Sequence, residues 1–70
     1  MMPLTLASVG EKNIILKVGG RQKLKKHLED LGFIAGSTVT VVATMGGSLI
    51  VNIKDSRVAL SLEVARHIMV

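Results

Sequence analysis

The chain has 70 residues, a formal net charge of +4, no cysteine, no tryptophan or tyrosine, and a single phenylalanine. That length makes one domain, residues 1–70, able to bury only roughly 60% of its unfolded surface, and the missing thiols exclude a disulfide framework and a thiolate metal site. No run approaches the ~20 apolar residues of a membrane-spanning helix. The opening Met1-Met2-Pro3-Leu4-Thr5-Leu6 also lacks the basic and apolar regions of a secretory signal, so the chain reads as a soluble cytoplasmic protein.

Leu4, Leu6 and Val9 predict a short opening strand ending near Gly10, with a turn over Gly10 to Asn13. Ile14, Leu16 and Val18 then alternate along a second strand, Ile14 to Val18, which Gly19-Gly20 ends. Arg21 to Leu31 predicts an amphipathic helix with Leu24, Leu28 and Leu31 in one narrow apolar stripe. Gly32 is its expected terminator, since glycine enters the left-handed conformation without a Cβ clash, and Phe33 or Ile34 should pack back on the last turn. The helix charges oppose its dipole, basic at the start and Glu29-Asp30 at the end. The pairs Lys25–Glu29 and Lys26–Asp30 should offset part of that.

After a turn at Ala35-Gly36-Ser37, the β-branched run Thr38 to Thr44 is a strong strand signal. Met45-Gly46-Gly47-Ser48 predicts a hairpin turn, Leu49 to Lys54 a half-buried strand, and Asp55-Ser56 a second turn before Arg57 to Leu60 pairs back. Ser61 caps a helical turn, Leu62 to Arg66, and Ile68-Met69-Val70 forms a last strand. Five to six short strands with one helix after the second must bury one face and close their edges, which a small, partly open barrel does.

The apolar fraction is 49%, nearly all aliphatic. A chain this small should leave some of it exposed as a contact patch. Six of the nine basic side chains precede residue 27, so a basic face would suit nucleic acid, an anionic membrane surface or an acidic protein partner. Catalysis is not expected, because the only histidines are His27 and His67, and neither Gly19-Gly20 nor Gly46-Gly47 has the spacing or Lys-Ser/Thr ending of a phosphate loop. No cofactor is expected. His27 with Asp30, three residues on, makes at most a two-ligand site on one helix face, and His67 must come from elsewhere or from another subunit. These three are the candidates for a weak divalent transition-metal contact. Nucleic acid is disfavoured, since one phenylalanine cannot supply the stacking that single-strand binding uses.

The chain resembles the FeoA family of bacterial ferrous iron transport. Leu4-x-Leu6-x-x-x-Gly10 is similar to its opening strand and turn, and Leu28-Glu29-Asp30-Leu31-Gly32-Phe33-Ile34-Ala35-Gly36 to its helix-end signature. Gly46-Gly47-x-Leu49-x-Val51, Arg57-Val58-Ala59-Leu60 and Ala65-x-x-Ile68-x-Val70 are similar to its hairpins and closing strand. The resemblance spans essentially the whole chain. It implies a mainly β, SH3-like barrel and a non-catalytic accessory role in which the partner is FeoB, the membrane permease with a cytoplasmic GTPase domain. It also implies transition-metal binding as a family trait, though it brings no catalytic residues. SH3-like barrels bind between their long loops or at an open edge, which nominates Arg21 and Lys25 on the helix with Phe33, Ile34 and Met45 at the rim. Self-association through open strand edges is a further expectation. Two other functions suit the same barrel: a small basic adaptor or RNA-binding module unconnected with iron, and a repressor-type regulatory domain.

Overall fold

A computed structural model describes residues 1–70. Six strands and two helices follow in chain order: β1 (Lys12–Ile14), β2 (Lys17–Val18), α1 (Gln22–Asp30), β3 (Thr38–Met45), β4 (Ser48–Ile53), β5 (Ser56–Ser61), α2 (Leu62–Ala65) and β6 (Ile68–Met69). The first sheet is antiparallel in the order β1-β3-β4-β5, and β2 pairs with β6 in a second. Because β1 runs on into β2, and β5 passes through α2 into β6, the β2–β6 pairing joins the two ends of the first sheet into a small barrel. Met2 and Val70 exchange backbone hydrogen bonds of 2.9 and 2.8 Å, which places the opening segment beside β6.

The inward face follows from alternation. In β4, Leu49, Val51 and Ile53 are buried while the residues between them are half exposed. Val39 and Val41 of β3 face the same interior, and the register slips between Val41 and Ala43, a bulge at Val42 that coils the strand around the barrel. With Leu4, Ile15, Val18, Leu28, Phe33, Leu60, Ala65 and Ile68 they form one core of 13 residues that contains no polar side chain.

Four expectations are corrected. Residues 4–6 form a 3-10 turn rather than a strand, closed by Leu6 N–H to the Pro3 carbonyl and Ala7 N–H to the Leu4 carbonyl, each 3.0 Å. Only Leu4 of the expected apolar set points inward, and Leu6 and Val9 are exposed. The second strand begins at Lys12, two residues inside the expected Gly10 to Asn13 turn, and is broken in two. Its first half pairs with β3 and its second with β6, and Ile15 lies at the crossing, held by its N–H to the Ser37 carbonyl (2.9 Å) and its carbonyl to the Gly36 N–H (2.8 Å). The change of sheet shifts the side-chain phase, so Ile15 and Val18 are buried while Ile14 and Leu16 stay exposed. Finally, α1 stops at Asp30 and leaves Leu31 at its C-cap, exposed. The expected pairs Lys25–Glu29 and Lys26–Asp30 do not close, and the one side-chain ion pair in the chain joins Arg66 to Glu63 at 3.4 Å.

The end of α1 matters most for what lies on the surface. Gly32 has φ +104°, its N–H donates to the Glu29 carbonyl (2.9 Å), and the Phe33 N–H donates to the Leu28 carbonyl (2.9 Å). This is the Schellman arrangement, with its usual apolar contact partners Leu28 and Phe33 both fully buried. The chain therefore leaves the helix with Phe33 driven inward and Ile34 turned outward.

Candidate functional site

A groove of about 330 Å³ runs between β2 and α1, lined by Leu16, Lys17 and Val18 on one side, Lys25 and Glu29 on the other, and the segment Phe33-Ile34-Ala35 at its end. Lys25 and Glu29 face it together because they are four residues apart on one helix. Phe33 is its floor and has no exposure, whereas Leu16 is 54% exposed and Ile34 43%. The groove thus offers two accessible aliphatic side chains, flanked by two ammonium groups and one carboxylate.

The five nominated contact residues do not form one surface. Lys25 and Ile34 share this groove, and Phe33 lies beneath it as a core residue, so it cannot serve as rim. Arg21 belongs to a neighbouring cleft with Gly20, Leu24, Arg66 and His67. Met45 is at the β3–β4 hairpin tip opposite Ser48, 66% exposed and outside every cleft. Two groove residues were missed, Leu16 and Lys17. The signal lay in the uninterrupted run Ile14-Ile15-Leu16, since a half-buried strand cannot bury three consecutive side chains on one face.

The three metal candidates are not brought together. His27 and Asp30 are exposed on α1 and line no cleft. His67 packs its ring where a Cβ on Gly20 would lie 3.4 Å from the imidazole Cγ, in a cleft it shares with Arg21 and Arg66. The other charged groups lining that cleft are both guanidiniums, and it holds no carboxylate. No group of three or more His, Asp or Glu side chains is placed to hold a metal ion.

The sequence profile of the FeoA domain matches residues 2–70. A relative named putative Fe(2+) transport protein A, from Methanocaldococcus jannaschii, is 31% identical over 70 residues, which is 100% of this chain and 85% of its own. The chain belongs to the FeoA family. An iron uptake regulatory protein (FeoA) of known crystal structure superposes with a TM-score of 0.86 at 25% identity, covering 96% of this chain and 89% of that one. The FeoA of Stenotrophomonas maltophilia, an SH3 domain protein crystallised with zinc, superposes with a TM-score of 0.86 at 24% identity over 99% of this chain and 88% of that one. The FeoA barrel of this chain is accordingly SH3-like, with its helix inserted after the second strand as expected. No helix of the chain is long and apolar enough to cross a membrane.

Proposed function

We propose that this FeoA-family protein is a cytoplasmic, non-catalytic accessory factor of ferrous iron uptake that docks on the cytoplasmic part of the FeoB permease and modulates it. Family membership supports the pathway. The observation that carries the docking is the groove between β2 and α1. Leu16 and Ile34 stand exposed beside each other's segment there, with Lys17 and Lys25 at the margins. Exposed aliphatics framed by ammonium groups suit a partner segment that is apolar with acidic neighbours. Ferrous iron is cargo in this reading, and it stays with the permease. Any contact this chain makes with the ion would be weak, because His27 with Asp30 supplies at most two ligands.

Calorimetric titration against the purified cytoplasmic domain of the organism's own FeoB, with and without GTP, tests the reading, followed by the full-length permease in detergent. Saturable micromolar binding, weakened about tenfold or more by Ile34→Asp or Lys25→Glu, is the expected result for substitutions at a contact centre. Binding that neither groove substitution alters would move the docking elsewhere, and no binding to domain or intact permease would refute the accessory role.

A further inference from the structure

The groove uses one side of the molecule. The outer face of the four-stranded sheet, which no helix covers, carries a different chemistry. Register places Lys12 opposite Thr40, Thr40 opposite Asn52, and Asn52 opposite Arg57. Directly opposed residues share a face, so these four form one row across all four strands. Three strand spacings make that row about 14 Å long. Beside it is a cleft of about 460 Å³ lined by Lys12, Ser37, Thr38, Thr40, Asn52 and Lys54, with no apolar side chain and no carboxylate.

The groups on this face are unspent. None of Lys12, Lys54 and Arg57 forms an ion pair, although Glu11 and Asp55 adjoin two of them in sequence. The hydroxyls of Ser37, Thr38 and Thr40 make no side-chain hydrogen bond within the chain, whereas Arg57 Nε donates to Asn52 Oδ1 at 3.2 Å. That bond holds the guanidinium over the sheet and leaves its terminal nitrogens free.

Lys54 supplies an independent indication. It is the one non-glycine residue with positive φ, +53°, at the first position of the β4–β5 turn, where glycine or asparagine fits without strain. A lysine at a strained backbone position points to a role for its side chain. Its stem lies along Gly32, where an added Cβ would sit 3.5 Å from Lys54 Cε.

We propose that this sheet face binds a polyphosphate chain, either free or as the phosphate tail of a nucleotide. Lys12 and Lys54 would contact successive phosphates, Thr38, Thr40 and Ser37 would donate hydroxyl hydrogen bonds, and Arg57 would close the far end. Cations and neutral donors without a carboxylate select an anion. A row several strands long suits a ligand with more than one charged group, not a single ion. The only Phe, Tyr or Trp ring, Phe33, is fully buried, and neither histidine lines this face, so bases gain no stacking there and recognition runs through the phosphates.

Calorimetry and amide-shift titration with sodium tripolyphosphate at low ionic strength test this. Saturable binding with shifts at Lys12, Thr40 and Asn52 is expected, weakened about tenfold by Lys12→Gln and about tenfold by Lys54→Asn, as for loss of one charge-assisted contact each. Asparagine accepts the positive φ, so Lys54→Asn removes the ammonium without straining the turn. The paired variant Lys23→Gln, Lys26→Gln removes twice the charge of either single variant, from exposed helix positions outside every cleft, and should still change affinity less than about twofold, as screened surface charges do. Equal weakening by the control pair, equally tight binding of a hexaglutamate peptide, or tighter binding of a charge-matched oligothymidylate would each overturn the proposal.

Discussion

Replacing Phe33 by alanine separates its two sequence-level roles, core residue and partner contact. The ring is fully buried, and a buried aromatic of 150–250 Å² is worth roughly 4–6 kcal/mol at about 25 cal/mol per Å², an upper bound for real unfolded chains. Measured Phe→Ala losses run about 3–5 kcal/mol. At ~0.05–0.15 kcal/mol per residue, a domain of this length has roughly 3.5–10 kcal/mol in all. Phe33→Ala should therefore take most of the stability and leave a large unfolded fraction at room temperature. Phe33→Leu keeps most of the volume and should lose only about 1–2 kcal/mol. Urea unfolding followed by far-ultraviolet circular dichroism gives both values. If Phe33→Ala lost less than about 1 kcal/mol, the ring would not be the centre of the core, and the groove floor would have to be rebuilt from other residues.

Gly32→Ala should destabilise by about 1–2 kcal/mol, because φ +104° is strained for any residue with a Cβ. The space itself is open enough, with Lys54 Cε at 3.5 Å, so a thermal melt reads the backbone term nearly alone. Ser61 Oγ accepts from the Val64 N–H at 3.2 Å and caps α2, so Ser61→Ala should lower the unfolding free energy by about 1 kcal/mol in the same urea assay. Leu16→Ser, at a side chain more than half exposed, should change stability by less than about 0.5 kcal/mol while weakening FeoB binding. A large drop in its melting temperature would assign Leu16 to the core instead. Arg57→Ala removes the Asn52 contact, which is exposed, and should also stay within about 0.5 kcal/mol in stability while lowering tripolyphosphate affinity.

Much of the architecture was legible because its signals are local. Thr38 to Thr44 is β-branched, and Leu49, Val51 and Ile53 alternate with side chains that face out, so β3, β4 and the hairpin between them were readable, with the inward face of β4. Ser61 as a cap and Gly32 as a helix terminator were readable because each role depends on one residue's own chemistry. The opening segment was not. Leu4-Thr5-Leu6 has a strand's alternation, but Pro3 and the pairing of Met2 with Val70 curl it into a 3-10 turn, and that pairing partner lies at the other end of the sequence.

The site divides in the same way. Lys25 and Ile34 could be nominated from helix phase and from the turn after Gly32. Phe33 could not be placed from sequence, because whether it lines a rim or fills the core depends on which of two adjacent residues the Schellman turn sends inward. Leu16 and Lys17 joined the groove only because the strand changes partners at Ile15, and the Lys12–Thr40–Asn52–Arg57 row exists only through register across four strands.

The amino-acid sequence by itself determined the mainly β composition with one helix after the second strand, the FeoA family and the excess of basic side chains. Each of these rests on residue type or on spacing within a few positions. Tertiary structure alone decided which aliphatic side chains are accessible, which cations lie beside one another, and that His67 does not join His27 and Asp30 in a three-ligand group. Those facts depend on pairings between segments distant in the chain, where one step of register carries a side chain to the opposite face of the sheet.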